Sequence, residues 1–165
     1  PLGQGISNAV GFAMAEEALR ARFGKKLQDH YTYCIAGDGC LMEGVSQEAL
    51  ALAGHQKLGH LIVFFDDNGI TIDGKTDLST SEDMIGRFES TGWNTQSIDG
   101  HDHAALKAAY SAARAKTDQP SVVIANTIKG NGVSFMERSV LWHYRSPQGD
   151  EYAAAVAELE GKTNA

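Results

Sequence analysis

Three short runs rich in aliphatic, aromatic and β-branched residues alternate with segments of helical composition, and that alternation most narrows the folds open to this chain. The runs are Tyr31 to Ala36, Leu61 to Phe65 and Ser121 to Thr127. Continuous apolar runs of this length, closed by polar turns, are the pattern of parallel strands covered on both faces. The first two runs end in Gly37-Asp38-Gly39 and Asp66-Asp67-Asn68-Gly69. Between them, Gly44 to Lys57 predicts a helix that stops before Gly59, which completes a β-α-β unit.

The flanking segments continue the alternation. Ile6, Val10 and Met14 recur every four positions, Glu16 precedes Arg20 by four, and Gly24 follows, so a helix is expected from about Ile6 to Phe23. Ser79 and Glu82 have capping-box spacing, and a helix is expected from there through Met84, Ile85 and Phe88 to Gly92. Thr95 to Ile98 predicts a short strand, and Asp102 an N-cap for a helix carrying Leu106, Ala109, Tyr110 and Ala113. Lys129 to Gly132 reads as a turn and Gln148 to Leu159 as a polar terminal helix. No repeat, low-complexity tract or linker interrupts the series. The expectation is one doubly wound α/β domain over residues 1–165, a mostly parallel sheet flanked by helices.

Charge and cysteine usage exclude several classes of function. Against 21 Asp and Glu there are 14 Lys and Arg, a net charge of −7, and no basic cluster offers counter-charge to a nucleic-acid backbone. Leu61 to Phe65, the longest strongly apolar run, is far short of the roughly 20 residues that cross a bilayer, so no membrane partner is expected. Cys34 and Cys40 form neither a disulfide framework nor a zinc motif, which points to a reducing cytoplasm. The chain opens at Pro1 with no charged-then-apolar leader, so no targeting segment is read in it and a truncated or excised N-terminus fits.

In an open α/β sheet, ligands bind beyond the carboxyl ends of the strands. Gly37-x-Gly39 superficially matches a dinucleotide fingerprint, but Met42 stands where the third Gly belongs. Asp38 would also meet a bare pyrophosphate at close range, which is unfavourable at low dielectric unless a cation lies between them. The aspartate therefore argues for a metal. A hard ion such as Mg²⁺ takes about six oxygens near 2.1 Å, commonly one or two from protein and the rest from phosphate and water. Asp38, the side-chain carbonyl of Asn68 and the main-chain carbonyl of Ile70 suit it, while the helix start near Gly44 offers N–H groups to phosphates. Asp and Asn beside Gly also make plain turns, and either residue alone reads equally well that way.

The words around these turns resemble transketolase. They are Pro1-Leu2-Gly3-Gln4-Gly5, Gly37-Asp38-Gly39-Cys40-Leu41-Met42-Glu43-Gly44, Asp67-Asn68-Gly69-Ile70-Thr71-Ile72-Asp73-Gly74, Gly92-Trp93, Asp99-Gly100-His101-Asp102 and Thr127-Ile128-Lys129-Gly130. The similarity runs from Pro1 to about Pro147, and the Gly132 to Glu137 and Trp142-His143-Tyr144 stretches are similar to split transketolases. The resemblance implies a thiamine diphosphate-binding fold that pairs with a pyrimidine-binding domain or subunit, in a homodimer or heterotetramer. It implies metal ligation by Asp38, Asn68 and the Ile70 carbonyl, and a backbone donor to the diphosphate at Gly39. It further implies contact of Pro1 and Leu2 with the aminopyrimidine and of Ile72 with the thiazolium. Glu43 and Glu48 match buried glutamates where two active sites communicate, and His143 matches a histidine that reaches the diphosphate and the reacting oxygens.

Simpler readings stand beside these. Glu43 and Glu48 fit solvated acids at a helix start, Ile72 fits ordinary core, and Trp142 beside His143 fits a packed loop. His101-Asp102-His103 fits a helix cap better than a metal site. Ser46 and Ser134 lack a His/Asp partner for a hydrolase triad. The function expected is transfer of a two-carbon ketol unit from a ketose phosphate to an aldose phosphate, with thiamine diphosphate and Mg²⁺, as fragment or subunit. The glutamate that activates the cofactor in the family lies on the pyrimidine-binding domain, which no segment here resembles, so this chain alone is expected to be inactive. Other readings are a deoxyxylulose phosphate synthase, a 2-oxo acid dehydrogenase subunit, or a cofactor-binding module without catalysis.

Overall fold

The computed structural model describes residues 2–163, so Pro1 lies outside the described residues. The chain forms two compact units. The first takes in the chain up to Asp67 together with Ser81–Asn126, and the second Asn68–Thr80 together with the chain from Thr127 onward.

The first unit is a parallel sheet of four strands, β1 (Thr32–Gly37), β2 (Leu61–Asp67), β5 (Asn94–Asp99) and β6 (Ser121–Asn126), in the order β1-β2-β6-β5. Its helices are α1 (Gln4–Phe23), α2 (Asp38–Met42), α3 (Gly44–His55), α4 (Met84–Ser90) and α5 (His103–Ala115). The period of two in a strand divides the apolar run of β2 between two cores. Leu61, Val63 and Phe65, with Val122 and Ile124 of β6, join the cluster that holds Ile6, Val10 and Ala13 of α1 and Leu50 and Ala53 of α3. Ile62 and Val123 join Ala109 and Ala113 of α5. Helices therefore cover both faces of the sheet, as a doubly wound arrangement requires.

Side-chain caps set the starts of α4 and α5. Asp102 accepts from the N–H groups of Ala104 and Ala105 at 2.8 and 3.2 Å, so it caps α5 as expected. The expected cap at Ser79 is corrected. Ser79 follows a 3-10 turn, Thr76–Leu78, and its hydroxyl donates back to Thr76 O. The helix begins five residues later at Met84, where Asp83 accepts from Gly86 N at 3.0 Å. Two acceptor side chains compete for one helix start, and the carboxylate nearer the apolar residues takes it.

The second unit contains a small hairpin, β3 (Ile70–Thr71) with β4 (Gly74–Lys75), the 3-10 turn Val140–His143, and α6 (Asp150–Thr163). Trp142 is buried, packs edge-on against Phe135 at 5.5 Å, and donates to the Phe135 carbonyl at 3.0 Å. Glu158 of α6 accepts from both N–H and hydroxyl of Ser134 at 2.6 and 2.7 Å.

At the β1 edge of the first unit, Tyr31 and Tyr33 stack at 6.2 Å, and Tyr33 stacks on Tyr110 of α5 at 5.9 Å. Burial, followed by the hydrogen bond to Tyr110, pushes the Tyr33 phenol up from 10.0 to about 12. Between these pH values the unfolded chain has lost a proton that the folded chain keeps, so stability present below pH 10.0 falls as pH rises towards about 12. Tyr33→Phe should remove the last phenol to ionise in an ultraviolet titration; an unchanged late phase contradicts the assignment.

Candidate functional site

β1 and β2 run parallel in a register that pairs Gly37 with Asp66, so both strands leave the sheet at the same edge. Asp38 is the residue that follows β1. It is 8% exposed and opens α2 directly, with Gly37 as an extended N-cap at φ −98°. Among the described residues, a side chain at Gly37 or Gly44 would meet nothing within 4 Å, so the turn is uncrowded at both ends of α2. Neither glycine is demanded by packing of the chain itself.

Glu43 ends α2 and serves as the N-cap of α3 through its carbonyl, which accepts from Ser46 N at 3.0 Å. Its side chain and that of Glu48 are exposed. The first turn of α3 holds no acidic residue, because Glu43 stands at its N-cap and Glu48 one turn further on, so the first-turn placement is corrected while the solvated reading of both side chains stands. The burial implied by the resemblance is not supplied by this chain by itself. Leu2 is 56% exposed. Gly3 stands in the left-handed region at φ 76°, and a Cβ there would lie 2.7 Å from Glu43 Cβ and 2.8 Å from Ser46 Oγ. Only glycine lets the N-terminal loop come this close.

In the second unit, the Asn68 Oδ1 accepts from Ile70 N at 3.1 Å, an Asx turn that fixes the orientation of the amide. Ile70 is buried, and β3 packs against the 3-10 turn that carries His143. Ile72 sits at the hairpin tip and is 55% exposed, so its reading as ordinary core is overturned. His143 is half-buried beside Trp142.

Among the described residues, one group of three acid or imidazole side chains lies close enough to share a metal: Glu16, Asp29 and His60. Of this group the sequence shows only Glu16, through its helical spacing to Arg20. Arg20 already stands within this group, with Nη1 2.8 Å from His60 Nε2 and 3.6 Å from Asp29, and Nε 3.6 Å from Glu16. Glu16 is 1% exposed, and a guanidinium supplies the positive charge that such a carboxylate needs. The group is an ion-pair network.

Over residues 1–161 the sequence matches the family described as "Transketolase, thiamine diphosphate binding domain". The chain belongs to this family. It is 54% identical over 165 residues to transketolase 1 of Escherichia coli strain K12, which covers 98% of this chain and 25% of that protein. The crystal structure of transketolase from Campylobacter jejuni superposes with a TM-score of 0.91 at 39% identity, over 99% of this chain and 25% of that one. A Pichia stipitis transketolase solved in complex with sedoheptulose 7-phosphate gives 0.92 at 41%, over 97% and 24%. The chain thus spans about a quarter of the length of these relatives. The expected fold class and the thiamine diphosphate-binding assignment both stand. Among the described residues no helix is long and apolar enough to cross a membrane.

Proposed function

We propose that this chain is the diphosphate-binding part of a transketolase-type transferase that moves a two-carbon ketol unit from a ketose phosphate to an aldose phosphate. The observation that carries the proposal is the register of β1 and β2. It ends both strands on one sheet edge, with Asp38 the next residue on one and Asn68 the next on the other. The donors offered are a carboxylate, an amide oxygen and the Ile70 carbonyl, a hard oxygen set that fits Mg²⁺ better than a soft metal.

Thiamine diphosphate, when bound, supplies an electron sink for cleaving and forming carbon–carbon bonds. The chain's own residues bind and orient. In this reading Asp38, Asn68 and the Ile70 carbonyl hold the cation, and Gly39 N–H donates to the diphosphate. The start of α3 favours the same negative charge. Pro1, Leu2 and Ile72 provide apolar contact for the ring systems, which agrees with the exposure of Leu2 and Ile72. His143 places a ring nitrogen at the diphosphate and the reacting oxygens, and Glu43 links to a second active site. The sugar phosphate in the Pichia stipitis relative supports that substrate class. The partner is a pyrimidine-binding domain or subunit, within a homodimer or heterotetramer in the cytoplasm.

The test is a ketol-transfer assay with thiamine diphosphate and Mg²⁺. The 165-residue chain should show no turnover alone and should gain it when a pyrimidine-binding partner is supplied. Binding of Mg²⁺ and thiamine diphosphate without turnover beside every partner would favour a non-catalytic module.

A further inference from the structure

We infer that Ser46, assisted by Gln47, is a positioning residue that sets the metal-binding turn from beneath. This rests on the diphosphate reading above. α2 is a five-residue helix that starts at Asp38, and a helix so short has no internal ladder adequate to hold its own orientation. Its last carbonyls are instead taken by side chains from the following helix. Ser46 Oγ donates to Cys40 O at 2.5 Å, and Gln47 Nε2 donates to Leu41 O.

Ser46 is fully buried and half-encircled by site elements. Its N–H donates to the Glu43 carbonyl at 3.0 Å, and its hydroxyl lies where a Cβ on Gly3 would come within 2.8 Å. One small residue therefore meets the loop after Leu2 and the Cys40 end of α2 through its hydroxyl, and the Glu43 junction through its N–H. Without the hydroxyl, Cys40 O loses the Ser46 donor at a part-buried site, and α2 relaxes about the residue that carries the carboxylate. The expected consequence is a looser grip on the cation with the fold preserved.

The experiment uses the intact protein at saturating thiamine diphosphate, with Mn²⁺ as the probe read by electron paramagnetic resonance, at a temperature where circular dichroism shows each variant folded. Ser46→Ala should need about tenfold more Mn²⁺ for half-saturation, with the full metal stoichiometry restored at high metal. Gln47→Met, which keeps the length of the stem and removes the donor, should shift it in the same direction and decides the matter if Ser46→Ala does not fold. A lowered melting temperature with the wild-type metal requirement in the folded variants would make both residues merely structural and overturn the inference. Failure of the wild-type protein to take up metal with thiamine diphosphate would overturn the diphosphate reading itself.

Discussion

Gly54→Ala is expected to destabilise the chain by about 4 kcal/mol or more, a large part of the stability of an ordinary domain. Gly54 lies in α3 where the helix backbone meets the turn after α4, and an added Cβ would stand 1.7 Å from the Thr91 carbonyl oxygen and 2.8 Å from its carbon. The obstacle is backbone, so no rotamer change relieves it. The contact is also pinned, because Trp93 Nε1 donates to Leu50 O at 2.9 Å and Trp93 packs edge-on against the fully buried Phe88 at 5.2 Å. For a domain of this size the melting temperature should fall by about 8–16 °C. Gly11→Ala is the matched control. It is an exposed helical position where a Cβ meets nothing within 4 Å among the described residues, so helix propensity should stabilise by up to about 1 kcal/mol. Thermal melts in which the two variants move together would contradict the close approach of α3 to the α4–β5 turn.

Asp38→Asn should weaken divalent-cation binding at saturating thiamine diphosphate on the order of 100-fold while leaving the melting temperature of the cofactor-free chain nearly unchanged. Asparagine keeps the volume at this buried turn and removes the negative charge that a Mg²⁺ site uses to offset dehydration of the ion. Titration with Mn²⁺ checks the expectation. A variant that binds within about threefold of the wild type would remove Asp38 from the ligand set.

The main frame of the fold can be read in the sequence because long, strongly patterned segments state their own structure. β2 alternates its apolar residues between two helix layers, Asp102 caps α5, and Asp38 and Asn68 stand next to strands whose ends are marked by glycine. What escaped left no regular pattern in its own residues. α2 has glycine in its second position and only five residues, and side chains of Ser46 and Gln47 hold its carbonyls from the next helix. The hairpin of β3 and β4 has two residues per strand, too few for any period to register. Ile72 is apolar and therefore resembles core, although the tip of that hairpin leaves it in solvent. Ser79 fitted a capping motif, yet Asp83 starts the helix. Glu16 and Arg20 announce a pair at helical spacing, but Asp29 and His60 join them only through the fold.

Calorimetric titration of the intact protein with thiamine diphosphate, in Mg²⁺ and again after chelation, tests most directly whether a divalent cation carries the diphosphate here. Saturable binding in the presence of Mg²⁺, abolished by chelation and restored by adding the ion back, is the predicted result. Binding of equal affinity, within about twofold, in the absence of any divalent cation would contradict it.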